Sequence, residues 1–191
     1  MASIKGSKTE KNLLASFAGE SQARNRYTYF SSVAKKEGYE QIAFYFADTA
    51  ENEKEHAKRF FSFLEGGDLE ITATYPAGII GTTIENLKAS AAGEKHEYTV
   101  LYPDAAQIAE QEGFKDVAAL FRAVSKAEML HESRYRKLIS NLEKDNVFKK
   151  SGSVKWKCRN CGYMHEGNEA PEKCPACLHP KAYFEIFCEN Y

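Results

Sequence analysis

The sequence predicts a mainly α-helical protein: a four-helix bundle with one long crossover, followed by a small metal domain built on four cysteines. Three observations predict it. Apolar residues across positions 1–145 recur at alternating steps of three and four, the seam of packed helices, and that stretch holds only two prolines. Glycines stand where the periodic runs break, at Gly38, Gly66-Gly67 and Gly113. All five cysteines fall within the last 34 of the 191 residues.

The elements follow in order. The first stripe is Leu13, Phe17, Glu20, Ala23, Tyr27, Phe30, Ala34, and the second is Ile42, Phe46, Glu53, Ala57, Phe60, Leu64. The third runs Ile84, Leu87, Ala91, Glu94, Tyr98, Leu101, Ala105, Ile108, and the fourth Val117, Phe121, Val124, Glu128, His131, Tyr135, Leu138, Leu142. Ser7 with Glu10 and Thr82 with Glu85 have the spacing of capping boxes. These signals predict helices near 8–37, 39–65, 82–112 and 114–144. The turns at Gly38 and Gly113 are short enough to force antiparallel neighbours, whereas residues 66–81, with Gly66, Gly67, Pro76, Gly78 and Gly81, make a long connection. Two helical hairpins joined by one long crossover have the ferritin-like topology.

The hairpins read as copies of one another. Ala18-Gly19-Glu20 returns as Ala92-Gly93-Glu94, Glu37-Gly38-Tyr39 as Glu112-Gly113-Phe114, and Glu53/His56 as Glu128/His131. The offset is 94 − 20 = 74 before the turn and 112 − 37 = 75 after it, so one extra residue lies in the third helix between Glu94 and Glu112. Pro103 lies in that interval, and a single-turn π-bulge is the economical place for the extra residue.

Each apolar stripe carries a glutamate near its middle. Residues three apart share a helix face, so Glu53/His56, Glu94/Glu97 and Glu128/His131 project as pairs, and with Glu20 they make five carboxylates and two imidazoles. A single glutamate on such a stripe is ordinarily an edge residue or half of an ion pair. Four helices doing so at one level is different, because converging carboxylates repel unless cations neutralise them, and few Lys or Arg lie on the stripes. One Glu from each of two helices plus Glu-x-x-His from each of the other two is the pattern of di-iron and di-manganese carboxylate sites, with zinc substitution also open. Glu97 departs from the repeat, standing where the first hairpin has Ala23, and the preferred reading makes it an additional ligand.

The tail holds two knuckles, Cys158-Arg-Asn-Cys161 and Cys174-Pro-Ala-Cys177, separated by 12 residues. Four thiolates suit one iron or one zinc; Gly-Tyr after the first knuckle and Cys-Pro-x-Cys in the second tilt the reading toward a rubredoxin-type iron site. Cys188 has no partner motif and reads as a small buried hydrophobe. The organisation expected is a bundle over 1–145, a linker over 146–155 and the four-cysteine domain over 156–191. A formal charge of −1 provides no basic field for nucleic acid or an anionic membrane surface. With no apolar signal segment after the N-terminal lysines and no bilayer-length apolar run, a cytoplasmic location is expected.

The motifs AGESQARNRY at 18–27, ENEKEH at 51–56, AGEKHEY at 92–98, AEMLH at 127–131 and CRNCGY with CPAC resemble those of the rubrerythrins over nearly the whole chain. The resemblance implies that Glu20, Glu53, Glu94, Glu97, Glu128 and His131 ligate two irons, that His56 exchanges against Glu97 with redox state, and that Tyr27 and Tyr102 back the site. It implies reduction of hydrogen peroxide to water, with electrons from rubredoxin or a reduced-nicotinamide oxidoreductase passing through the four-cysteine iron. It also implies a head-to-tail homodimer, because the tail has no apolar groove along its own bundle to fold back into. A ferroxidase handling iron as substrate, and a non-enzymatic zinc-ribbon adaptor, are the alternatives. The tail departs from stand-alone rubredoxins in its short spacing between knuckles and in Leu178 where a glycine usually follows the last cysteine.

Overall fold

The computed structural model describes residues 3–189; residues 1–2 and 190–191 of the expected domain ends lie outside them. Helix α1 spans Lys8–Lys36 and α2 Glu40–Phe61. The third bundle helix is α3, Thr83–His96, a π-turn over Glu97–Leu101, and α4, Tyr102–Gln111; α5 spans Lys115–Glu143. The hairpin turns carry glycines in the left-handed region, Gly38 at φ 84° and Gly113 at φ 86°, where a side chain would be strained.

The extra residue of the repeat is the π-turn, within the interval that sequence counting indicates. It ends just before Pro103, the residue whose missing N–H already interrupts the ladder. The second helix stops four residues short of expectation: Phe63 and Leu64 donate to Phe60 and Phe61, tightening the chain, and Gly66 and Gly67 then take positive φ.

The helix starts are tied to each other through the repeat. Glu112, in the α4–α5 turn, accepts from the backbone N–H groups of Lys8 (3.0 Å) and Thr9 (2.8 Å) at the start of α1. Its counterpart Glu37, in the α1–α2 turn, accepts from Thr83 N–H (3.0 Å) at the start of α3. Each hairpin's turn thus caps the other hairpin's first helix and satisfies N–H groups that have no partner within it. Ser7 accepts from Glu10 N–H as expected, but the Glu10 carboxylate takes Gly6 N–H instead of the N–H of Ser7.

Inside the bundle there are two apolar clusters. One gathers Tyr27, Phe30, Ile42, Phe46, Leu87 and Tyr135; the other gathers Leu13, Phe60, Tyr102, Val117 and Phe121. Between them in sequence, on every bundle helix, stands the layer of buried Glu20, Glu53, Glu94, Glu128 and His131. Apolar packing at both ends therefore holds a polar floor out of water.

The tail is a three-stranded antiparallel sheet of order β2-β1-β3, with β1 Lys149–Cys158, β2 Met164–Glu169 and β3 Phe184–Ile186. Most of the segment expected as linker belongs to β1, whose pairing with β2 is irregular between Lys149 and Val154, where Gly152 and two serines offer little to pack. Trp156 is buried beneath the sheet and donates from its indole to Gly167 O at 2.9 Å. The tail rests against the first turns of α2 and the flank of α5 in its own bundle: Phe148 stacks on Tyr39 at 6.2 Å, the Arg159 guanidinium lies 4.5 Å from the Phe44 ring, and Ile186 lines one cavity with Leu130 and Arg134. Cys188, expected to be buried, is exposed, one residue past Phe187, whose N–H makes the last bond to β1 at Lys155 O (2.8 Å).

Candidate metal centres

Two groups of donors overlap in the bundle. Glu20, Glu53, His56 and Glu128 offer ligand atoms all within 4.8 Å of one another, and so do Glu53, Glu94, Glu128 and His131. Glu53 and Glu128 belong to both, so two ions would share them as bridges while Glu20 with His56, and Glu94 with His131, close the two ends. Six of the seven residues expected from sequence therefore converge. Glu97 stands outside both groups, on the π-turn, yet near enough for mutual repulsion with Glu94, Glu128 and Glu53.

Protein groups alone do not satisfy this site. Glu20 Oε2, Glu53 Oε1, Glu94 Oε2, both Glu128 oxygens and His131 Nδ1 are buried without a hydrogen-bond partner. Burial and the charges of Glu53 and Glu128 hold the Glu20 carboxyl well above the carboxylate range. Burial and the repulsion of Glu53 raise Glu94 to about 8, and burial with the Glu94 charge raises Glu97. Burial alone would lower both imidazoles, but the Glu128 and Glu53 carboxylates facing each ring outweigh it, pushing His56 up to about 9 and His131 to about 12. Orphaned acceptors and mutually repelling carboxylates are what a pair of cations relieves.

The tyrosines named from sequence are both in place, and the pseudo-symmetry explains them. Tyr27 donates its hydroxyl to Glu94 across the bundle, and Tyr102 donates to Glu20 in return. Glu20 to Glu94 is an offset of 74 and Tyr27 to Tyr102 one of 75, so the π-turn between Glu94 and Tyr102 lets both ends of the third helix face the site. Sequence reasoning missed two residues at the centre. Asn52 meets His131, and Tyr135 lies fully buried 5.7 Å from the Tyr27 ring.

The second centre is in the tail. The Sγ atoms of Cys158, Cys161, Cys174 and Cys177 lie within 4.8 Å of one another, with 3.7 Å from Cys158 to Cys177 and from Cys161 to Cys174, too far for disulfides and suited to a tetrahedral ion. Each knuckle closes with a left-handed residue, Gly162 at φ 80° and Leu178 at φ 64°. Leu178 therefore adopts the conformation a glycine takes more easily, with its side chain out in solvent. The His179 backbone N–H stabilises the thiolate of Cys177 and holds its pKa near 6, and a metal needs the thiolate.

The profile of the Rubrerythrin family matches residues 11–139, and that of the rubrerythrin rubredoxin-like domain matches residues 156–185. The chain belongs to the rubrerythrin family. It is 64% identical to a rubrerythrin of Porphyromonas gingivalis over 99% of this chain and 94% of that one. A rubrerythrin of Nitratidesulfovibrio vulgaris is 58% identical over the full length of both. Among solved structures, fully reduced, all-ferrous nigerythrin superposes with a TM-score of 0.64 at 32% identity, covering 96% of this chain and 91% of that one. The bundle thus carries the rubrerythrin di-iron carboxylate site, and the tail carries the four-cysteine rubredoxin-like site. No helix among the described residues is long and apolar enough to cross a membrane.

Proposed function

We propose that this rubrerythrin is a non-haem di-iron peroxidase that reduces hydrogen peroxide to water, with the four-cysteine iron passing electrons to the bundle site. The observation that carries the reading is the coexistence, in one chain, of two donor groups sharing Glu53 and Glu128 and a separate tetrathiolate cage. In this reading Glu20, Glu53, Glu94, Glu128 and His131 hold the two irons, and His56 and Glu97 alternate with redox state. Held by these residues, two ferrous ions would supply the two electrons of O–O cleavage and Lewis acidity, and an iron held by Cys158, Cys161, Cys174 and Cys177 would supply electrons one at a time.

The chain's own groups meet the other needs of the reaction. Tyr27 and Tyr102 fix the Glu94 and Glu20 carboxylates and hold protons at the edge of the site. Glu97, its carboxyl raised by burial and by Glu94, lies within the same enclosure. The two apolar clusters exclude bulk water from the layer between them. Overall, hydrogen peroxide, two electrons and two protons give two waters.

The assignment of 1–145 to the bundle and of 156–191, with the β1 residues from Lys149 that precede it, to the electron-accepting domain belongs to this proposal. So do a head-to-tail homodimer, a cytoplasmic setting and a donor such as rubredoxin or a reduced-nicotinamide oxidoreductase. The test is anaerobic titration of the fully reduced protein with hydrogen peroxide while iron is quantified before and after. One peroxide consumed per electron pair, with iron retained, supports the peroxidase; iron consumed as substrate supports the ferroxidase.

A further inference from the structure

The repeat that builds the bundle site is broken at a position that touches a ligand. Aligning Glu53-x-x-His56 with Glu128-x-x-His131 pairs Asn52 with Ala127. Asn52 reaches from α2 to α5, where its Oδ1 lies 3.2 Å from Nε2 of His131. The other nitrogen, Nδ1, faces Glu128 at 2.7 Å, Glu53 at 3.1 Å and Glu94 at 3.4 Å. An imidazole that ligates through Nδ1 and donates from Nε2 is fixed in both tautomer and ring orientation.

His56 presents its Nδ1 in the same way, to Glu53 at 2.9 Å, Glu128 at 3.0 Å and Glu20 at 3.8 Å. Among the described residues, however, nothing hydrogen-bonds its Nε2. The repeat position that supplies the amide to His131 supplies only the methyl of Ala127 to this half of the site. The His56 side chain is 17% exposed against 3% for His131, so it also has open space beside it.

We infer that Asn52 is the positioning residue that locks His131 onto the metal pair, and that the Asn52/Ala127 difference is what makes the pseudo-symmetric site asymmetric. His131 is held; His56 is the imidazole left able to leave. The inference rests on the di-iron reading of the bundle and adds to it the residue that decides which histidine moves.

Three variants test it: Asn52→Ala, Asn52→Asp, which keeps an acceptor oxygen, and Ala127→Asn. The first readout is the rate at which an anaerobic chelator removes bundle iron from the reduced protein, with the absorbance of the tail iron as internal control. Outer partners of ligating histidines typically contribute about 10–100-fold in metal affinity. Asn52→Ala should therefore lose one bundle iron at least about tenfold faster, and Asn52→Asp should stay within about threefold of wild type. Loss from Asn52→Ala at the wild-type rate overturns the proposal. The second readout does not depend on that variant's stability: crystals of oxidised and reduced Ala127→Asn should show His56 in one position, whereas wild type should show two, and a wild-type His56 fixed in both states also overturns the proposal. A His56 that still moves in Ala127→Asn also overturns it. A wild-type bundle that takes up no iron would instead sink the di-iron reading, and is scored before any of the three variants.

Discussion

Glu97 lies on the π-turn, outside both donor groups but within the same electrostatic enclosure, so its effect is separable from that of the other carboxylates. Removing it leaves four glutamates and two histidines, the set sufficient to hold two ions in a helical bundle. Glu97→Ala is therefore expected to keep its bundle iron while the peroxide reactivity of the reduced protein falls about a hundredfold or more, the lower end of what a proton-transferring group supplies. Metal quantitation with stopped-flow oxidation checks this, and full turnover would make Glu97 a bystander. Glu53/His56 and Glu128/His131 were legible in the sequence because i,i+3 spacing on a helix puts both groups on one face, whereas Glu94/Glu97 has the same spacing but the π-turn leaves Glu97 outside both donor groups. Asn52 was not legible, because its partner is 79 residues away on another helix and no local spacing marks it.

Among the elements, the mutual capping of the hairpins joins helix starts to turns distant in sequence. Glu112 gathers two backbone N–H groups and the Thr9 hydroxyl; burial is the largest single effect and raises its carboxyl, but these bonds together hold it below the usual range. Glu112→Ala should cost about 1 kcal/mol at neutral pH, the typical worth of a lost cap, measured by denaturant unfolding of the metal-loaded protein. Because the folded pKa is depressed, the stabilisation is fully present above the unfolded value near 4.3 and is lost as pH falls through the folded one. The gap between variant and wild type should accordingly close on acidification below about pH 4; a gap that persisted would assign the effect to packing. Helix starts and the extra residue of the third helix were readable because caps, glycines and repeat offsets are local. The early end of α2 was not, since Leu64 continues the apolar stripe while the backbone has already tightened toward Gly66 and Gly67.

For the molecule as a whole, the four-cysteine site stands apart from the apolar clusters of the bundle, in a cluster of its own around Trp156, Cys158, Cys174 and Phe184. Cys174→Ser should therefore abolish donor-dependent peroxide turnover while leaving helical content and bundle iron unchanged; cooperative loss of the bundle by circular dichroism would make the site a fold requirement instead. The position of the tail then bears on which bundle it serves. It meets its own chain near Tyr39 and Phe44, in the first turns of α2, whereas Glu53 lies 9 residues beyond Phe44, roughly 14 Å along the helix at 1.5 Å per residue. Electron transfer weakens steeply with distance, and a head-to-tail partner would bring one chain's knuckles beside the middle of the other's bundle. Transfer between chains is thus expected to dominate. Mixing two inactive variants tests this, Cys158→Ser with Cys174→Ser in one chain and Glu53→Ala with Glu128→Ala in the other, refolded together so that mixed dimers form. Each mixed dimer then contains one intact tail and one intact bundle on different chains, and donor-dependent peroxidase activity should return. Verified mixed dimers without activity would place the transfer within a single chain, and recovered activity that collapsed on dilution would place it in encounters between separate dimers.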